Sequence, residues 1–244
     1  MRIYSDCRLL ISEIARDVME MGVITHSTSM QQLNVSNNPD YDTKEIINYS
    51  YCLQSLGNED YLFANDPACK EWAKAELEER VYPGWVPSPG KAWQKRKEFW
   101  EPLIKAGNFG YTYNNRMQEC SNLERVITAI EDNPDSRQAI LSIWDRQIDI
   151  KGFNGKQRVP CSIYYQFLLR EETLHIIYAQ RSADAYNHLG NDIWLAFKLM
   201  EHVAGELSDL WGKPILTGNL YHNIGSLHVY RKDWENMHRV MEVL

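Results

Sequence analysis

The residue types with chemistry to offer gather in the last third of the chain. Cys161 follows Pro160 at the head of a strand-like run, IYYQFLLR at 163–170. A thiol is a nucleophile only as the thiolate, and at neutral pH that form needs a nearby cation. Arg181 stands at the end of TLHIIYAQ (173–180), the run that follows Glu171-Glu172. If the two runs form a hairpin, adjacent strands bring guanidinium and sulfur close. Each residue also has a plainer reading: a lone thiol is commonly a small buried hydrophobe, and a cation at a strand end is commonly solvated. The stretch from 180 to 192, QRSADAYNHLGND, concentrates hydrogen-bonding groups. Arg181 and Ser182 suit a phosphate, with Gln180, Asp184, Asn187, His188, Asn191 and Asp192 beside them; a capped loop is the alternative. In NIGSLHVY (223–230), His228 and Tyr230 are two apart. On a strand they share one face and converge on one ligand, unless that face is simply solvated.

The elements that must position these groups are read from periodicity. Leu9, Leu10, Ile14, Val18 and Met19 recur at helical spacing, so 7–22 is expected as an amphipathic helix. Residues 23–43 are polar and expected as a loop with one or two short strands. Helical patterns follow at 44–56, 68–80 and 91–106, and Ser121 and Glu124 have capping-box spacing ahead of Val126, Ile127 and Ile130. Then the period changes. Strands are expected at 139–144, 163–170, 173–180 and 215–224, a mostly buried helix at 191–208 and a short helix after Asp233. This order predicts an α/β or α+β fold with a mixed or antiparallel sheet rather than a doubly wound nucleotide fold. No GxGxxG or GxxxxGK[ST] opens a helix.

Composition bounds the function. The chain has 244 residues, 44% of them apolar and 24% charged, which suits a globular protein and excludes disorder. No apolar run is long enough to span a bilayer, and the opening MRIYSDCRLL has no leader-like succession, so a cytoplasmic protein is expected. Five cysteines without paired CxxC spacing argue against a disulfide framework or a zinc site. A net charge of -7 disfavours sequence-independent nucleic-acid binding, so any anionic substrate must be met locally.

Taken together, VPCSIYYQFLL, YAQRSAD, the interval from Asp184 to Asp192, and NIGSLHVY resemble the thymidylate synthase superfamily in order and nearly in spacing. NPDSRQAILSIW (133–144) resembles that family's arginine segment, and LQSLGNEDYL (53–62) its early helix and loop. The resemblance implies one α/β domain over 1–244, a mixed sheet flanked by helices, and a homodimer through the sheet. It implies that Cys161 adds to pyrimidine C6 and that C5 then attacks the one-carbon group of 5,10-methylenetetrahydrofolate, the co-substrate. Gln180, Arg181 and Ser182 would hold the nucleotide, and Arg137 would reach the phosphate of the partner subunit. His228 and Tyr230 would bond the sugar, Tyr113 would assist proton removal from C5, and Asp184 with His188 would meet the folate. Asp192 stands where synthases acting on uracil carry asparagine. A carboxylate accepts from the cytosine amino group and from protonated N3, so Asn191-Asp192 and GSLHVY resemble the phage deoxycytidylate hydroxymethylases. The implied product is a 5-hydroxymethylcytosine nucleotide, formed when water adds to an exocyclic methylene.

Several positions depart from the family pattern. Asn48 falls, by register, where the family has its water-ordering glutamate, with Glu45 one helical turn away as substitute; Gln138 replaces a phosphate arginine. Residues 23–43 contain no Arg or Lys, Cys69 replaces a folate-packing tryptophan, His188 replaces a glycine, and fourteen residues follow Tyr230, where synthases close the site with a longer tail. These departures leave two competing readings: C5 methylation, or hydroxylation without folate, and a silent nucleotide-binding scaffold.

Overall fold

Strand pairing is what joins the two ends of this chain. The computed structural model describes residues 1–31, 33–66, 68–119, 123–152 and 157–242. In chain order the strands are β1 Arg2–Tyr4, β2 Val23–Thr25, β3 Ser29–Met30, β4 Leu33–Asn34, β5 Thr43–Leu53, β6 Ile140–Ser142, β7 Ser162–Arg170, β8 Thr173–Asp184 and β9 Leu216–Tyr230. The helices are α1 Cys7–Met21, α2 Ala68–Val81, α3 Lys97–Trp100, α4 Tyr113–Glu119, α5 Leu123–Asp132, α6 Leu189–Trp211 and α7 Trp234–Glu242. The main sheet runs β1-β5-β9-β8-β7-β6, with β2 also on β5. The β1/β5 and β9/β8 pairs are parallel and the others antiparallel, so the sheet is mixed, as expected. No described helix is long and apolar enough to cross a membrane.

Local chemistry explains the elements. Asp6 caps α1 by accepting from the backbone N–H groups of Arg8 (3.0 Å) and Leu9 (3.2 Å). Leu10, Ile14 and Val18 then repeat on the buried face of that helix. The β7/β8 hairpin turns on Glu171 and Glu172, both with φ above 0° (50° and 63°), as a two-residue turn of the primed type requires. Helix α6 buries Leu189, Ile193, Ala196, Met200, Val203 and Leu207 against the sheet. Its start passes so close to Leu62 that a Cβ on Gly190 would lie 2.0 Å from the Leu62 carbonyl oxygen. Tyr51, Tyr165, Phe167 and Tyr178 are the largest fully buried side chains of the sheet.

Two expected helices are corrected. The expected helix at 44–56 is instead strand β5, Thr43–Leu53, set between β1 and β9, where Tyr49 and Tyr51 stand two apart and pair with β9. Residues 91–106 are not one helix: Ala92–Arg96 and Glu101–Leu103 are 3-10 turns on either side of α3, and Pro102, with no N–H, keeps α3 from continuing. Strand β9 extends past 224 to Tyr230 and β8 to Asp184, which carries both into the site. The expected cap Ser121 lies outside the described residues.

Strands β5, β8 and β9 break their regular ladders at one level. Cα pairing passes from Ile47↔Ser226 to Tyr49↔Ile224 and from Gln180↔Ile224 to Ser182↔Ser226, leaving Asn48, Arg181 and Gly225 unpaired in a row. Asn48 has φ 58°, and a Cβ on Gly225 would sit 2.8 Å from the Arg181 carbonyl oxygen, so only glycine lets β9 approach β8 this closely. Beyond the break in β9 the buried phase shifts from Leu220, His222 and Ile224 to Leu227 and Val229, and His228 and Tyr230 face a cavity instead of the core.

Candidate active site

One cavity of about 340 Å³ opens where these strand ends meet the helices, a size typical of small-molecule sites. Cys161, Tyr113, Arg181, Ser182, Asp184, His188, Asp192, His228 and Tyr230 all line it. Cys161 sits just ahead of β7, and the Arg181 N–H donates to its carbonyl (2.8 Å). The Arg181 guanidinium donates to the carbonyls of Pro160 (2.9 Å) and Val159 (3.2 Å) and lies 3.7 Å from the thiol sulfur. The pairing expected from the hairpin is therefore present. Burial pushes the Cys161 thiol up, while Arg181 and Arg158 pull it back down and Asp192 adds to the rise; the net is upward, so the thiol is protonated at neutral pH.

Asp192 lies in the first turn of α6. Burial lifts its carboxyl to about 6, against the lowering influence of the Gln180 amide and Arg80, with Asp184 and Glu76 raising it further. Gln180 Nε2 donates to Asp192 Oδ2 at 2.9 Å. His228 Nδ1 lies 3.5 Å from Ser182 Oγ, and its ring meets Tyr230 edge-on at 5.3 Å. Tyr113, at the start of α4, bonds Ser162 Oγ through its hydroxyl (3.0 Å), and Ser162 in turn bonds Tyr178 (2.6 Å).

Not every expected site residue faces the cavity as expected. Gln180 is 3% exposed and stands behind Asp192, not among the cavity-lining residues. Asn191 is also buried and lines a separate small cavity with Cys69, Asp66 and Arg96. Consecutive residues on a helix point about 100° apart, which sets Asp192 toward the first cavity and Asn191 toward the second. Asp184 lines the site, but its oxygens accept from the Tyr186 and Asn187 N–H groups (3.1 and 3.0 Å) and the Asn187 amide (3.0 Å), so it also organises the turn into α6. Arg137 is exposed and outside the cavity. Asn48 is exposed as well; Glu45 does line the cavity, on a strand rather than by the expected helical spacing, and is bonded to Ser226 and Thr25.

The structure adds groups that the sequence reading left out. Glu76 and Arg80 of α2 both line the cavity and pair at 2.8 Å with side chains only 16% and 5% exposed. The Arg80 guanidinium lies over the Tyr113 ring at 3.7 Å. Their signal was the helical i, i+4 spacing in AELEER. Truncating Glu76 to Leu strands a buried cation, so it is expected to lower unfolding free energy by about 3–5 kcal/mol; a urea melt showing less than about 1 kcal/mol lost would show the pair to be dispensable. The aromatic wall is not at Cys69 but at Trp72, Phe99 and Trp100, whose rings approach the His188 ring at 6.2, 4.5 and 5.4 Å. Burial, with Arg96 adding, holds His188 down to about 3 and hence neutral. Arg158 joins this wall, over the Trp100, Phe109 and Tyr111 rings. A flat, uncharged, partly aromatic group fits there. Among the described residues no group of three or more His, Cys, Asp or Glu is placed to hold a metal ion.

Comparison with known proteins returns one family. Residues 57–243 match the family described as "Thymidylate synthase". A "Putative thymidylate synthase" of Methanosarcina acetivorans is 29% identical over 160 residues, 62% of this chain and 69% of that protein. Its counterpart in Methanosarcina mazei is 29% identical over 173 residues, 67% and 75%. Among solved structures, thermostable thymidylate synthase A from Bacillus subtilis superposes with a TM-score of 0.75 at 16% identity, over 98% of this chain and 84% of that one. That likeness is one of fold.

Proposed function

This chain belongs to the thymidylate synthase family, whose members use methylenetetrahydrofolate as co-substrate, and from that premise we propose that it transfers a one-carbon group to C5 of a cytosine nucleotide and releases the 5-hydroxymethyl product. The observation that carries the reading is the presence in one cavity of Cys161, with Arg181 at 3.7 Å from its sulfur, and of Asp192. The sulfur adds to C6, which makes C5 electron-rich. Asp192 accepts from the amino group of cytosine and shares a proton with N3, and that proton stabilises the negative charge which attack at C6 pushes into the ring. Arg181 and Ser182 take the phosphate, His228 and Tyr230 the sugar, and Tyr113 the C5 proton. The folate, when bound, supplies the carbon at the oxidation level of formaldehyde. The wall of Trp72, Phe99, Trp100 and neutral His188 suits its flat rings. Arg137, exposed at the sheet edge, is assigned to the phosphate of a partner subunit. The half-exposed sheet face bearing Tyr164, Leu168 and Ile177 is the surface that a second copy would cover.

The test supplies C5-tritiated dCMP, CMP and dUMP, each with and without methylenetetrahydrofolate, and reads tritium release and product mass. Folate-dependent release from a cytosine nucleotide with a gain of CH2O is expected. A gain of CH2 would instead establish methylation, a gain of O without folate would establish hydroxylation, and no release from any nucleotide would leave a silent binding protein.

A further inference from the structure

Behind Asp192 lies a buried chain of hydrogen bonds, through Gln180, His222 and Tyr51, to which the reaction gives no role. Asp192 Oδ2 accepts from Gln180 Nε2 (2.9 Å), Gln180 Oε1 meets His222 Nε2 (2.8 Å), and His222 Nδ1 meets the Tyr51 hydroxyl (2.7 Å). Tyr51 and His222 are fully buried and Gln180 is 3% exposed. The His222 ring is stacked on Tyr178 at 4.5 Å and 13° and met edge-on by Tyr51 at 5.2 Å, so it cannot turn without breaking the core. We propose that His222 is a positioning residue for base selection: it locks the Gln180 amide so that the donor chain Tyr51, His222, Gln180 points toward Asp192 and confines that carboxyl's proton to the oxygen facing the cavity. This rests on the reading of Asp192 as the group that meets the base.

The polarity follows from donor and acceptor inventory. An ionised carboxylate only accepts, so it must face the NH2 end of the Gln180 amide. The amide oxygen then faces His222 Nε2, which must carry the ring proton. Burial holds this imidazole neutral, so Nδ1 is left as acceptor and the Tyr51 hydroxyl donates to it. The reverse polarity would need a second acceptor for the Tyr51 proton; among the described residues the Tyr51 hydroxyl is bonded to His222 Nδ1, and the neighbouring Tyr49 hydroxyl is engaged with Asp17 at 2.8 Å. With Oδ2 receiving a donor, a proton on Asp192 resides on the other oxygen. The groups that interact electrostatically with Asp192 are Arg80 and Glu76 of α2, Asp184 and Tyr178 of β8, Cys161 ahead of β7, Tyr165 of β7 and Tyr51 of β5, and none of them replaces the Gln180 donor.

The experiment measures kcat/KM for dCMP and dUMP from pH 5 to 9 in the wild type, His222→Leu, His222→Gln, Tyr51→Phe and Asp192→Asn, with folding checked by thermal melts. His222→Leu frees the amide to rotate, and the dCMP to dUMP ratio is expected to change at least about tenfold, the worth of one buried hydrogen bond, with a shift of the acid limb of the dCMP profile. His222→Gln, which can present an N–H to Gln180, is expected to restore most of the ratio. Tyr51→Phe, which keeps the ring and folds most safely, moves it in the same direction by less. If Asp192→Asn changes the ratio while Tyr51→Phe and every folded His222 variant leave both ratio and limb within about twofold, the chain is structural only and the proposal fails. If Asp192→Asn itself changes nothing, it is the base-reading role of Asp192 that fails.

Discussion

Replacing Cys161 by serine is expected to lower turnover by more than about three orders of magnitude while nucleotide affinity stays within about threefold. The two halves of this expectation rest on different atoms. In the proposed binding mode affinity comes from Arg181, Ser182, His228 and Tyr230, and Arg181 is held by the carbonyls of Val159 and Pro160 whether or not the sulfur is present. Turnover depends on a covalent bond to C6, and a serine hydroxyl beside one guanidinium does not ionise as a thiol does. The measurement is paired: tritium release for turnover, and, for the adduct, mass spectrometry of the denatured protein incubated with a 5-fluoropyrimidine nucleotide and methylenetetrahydrofolate, where fluorine at C5 blocks the elimination that would free the sulfur. The wild type gains the mass of nucleotide plus methylenetetrahydrofolate and Cys161→Ser does not. The chain supplies its own control, because Cys7 and Cys69 are buried away from the cavity with their thiols pushed up to about 12 and about 11. An adduct mapped to either of them, or turnover retained in Cys161→Ser, would remove Cys161 from the nucleophile's role.

The parts of this site that the sequence disclosed are those built by local patterns. The β7/β8 hairpin has runs rich in β-branched and aromatic residues around two glutamates, so the approach of Cys161 to Arg181 follows from pairing. His228 and Tyr230 follow from alternation. The hidden parts depend on where alternation or helical period breaks. In TKEIINYSYCL the adjacent Ile46 and Ile47 obscure the strand period, and the left-handed turn at Asn48 lies opposite Gly225 in a strand nearly 180 residues away, a pairing that no local window reports. Helical spacing therefore offers only Glu45 in place of a carboxylate at Asn48; Glu45 reaches the cavity from a strand, and a second carboxylate, Glu76, reaches it from α2 with Arg80 as its buried partner. For Gln180 and Asn191 the family resemblance implies contact with the ligand. The core side of β8 and the 100° step of α6 turn them away.

Asp192→Asn is expected to shift the ratio of kcat/KM for cytosine to that for uracil nucleotides by at least about 100-fold toward uracil, since an amide donates to O4 and accepts from N3–H where a carboxylate can only accept. The same variant tests the proton inventory. The form that attacks has a thiolate and a proton shared between Asp192 and N3; it carries as many protons as the resting form, which has a thiol and an ionised Asp192. kcat/KM for dCMP should therefore be flat from about 6 up to the raised thiol pKa and should fall tenfold per unit below about 6, where Asp192 takes a further proton. In Asp192→Asn acting on dUMP that plateau disappears and the rate climbs with pH toward the thiol pKa. A limb from the substrate phosphate appears in both profiles and drops out of the comparison. Stability should move as well. A carboxyl raised by burial from 3.8 to about 6 destabilises the fold above pH 6 by roughly 3 kcal/mol, less as pH falls through 6, and not at all below 3.8. Asp192→Asn should thus melt higher than the wild type at pH 7.5 and equal it at pH 4, and a variant that is no more stable at neutral pH would show that the carboxylate has found compensation within the cavity.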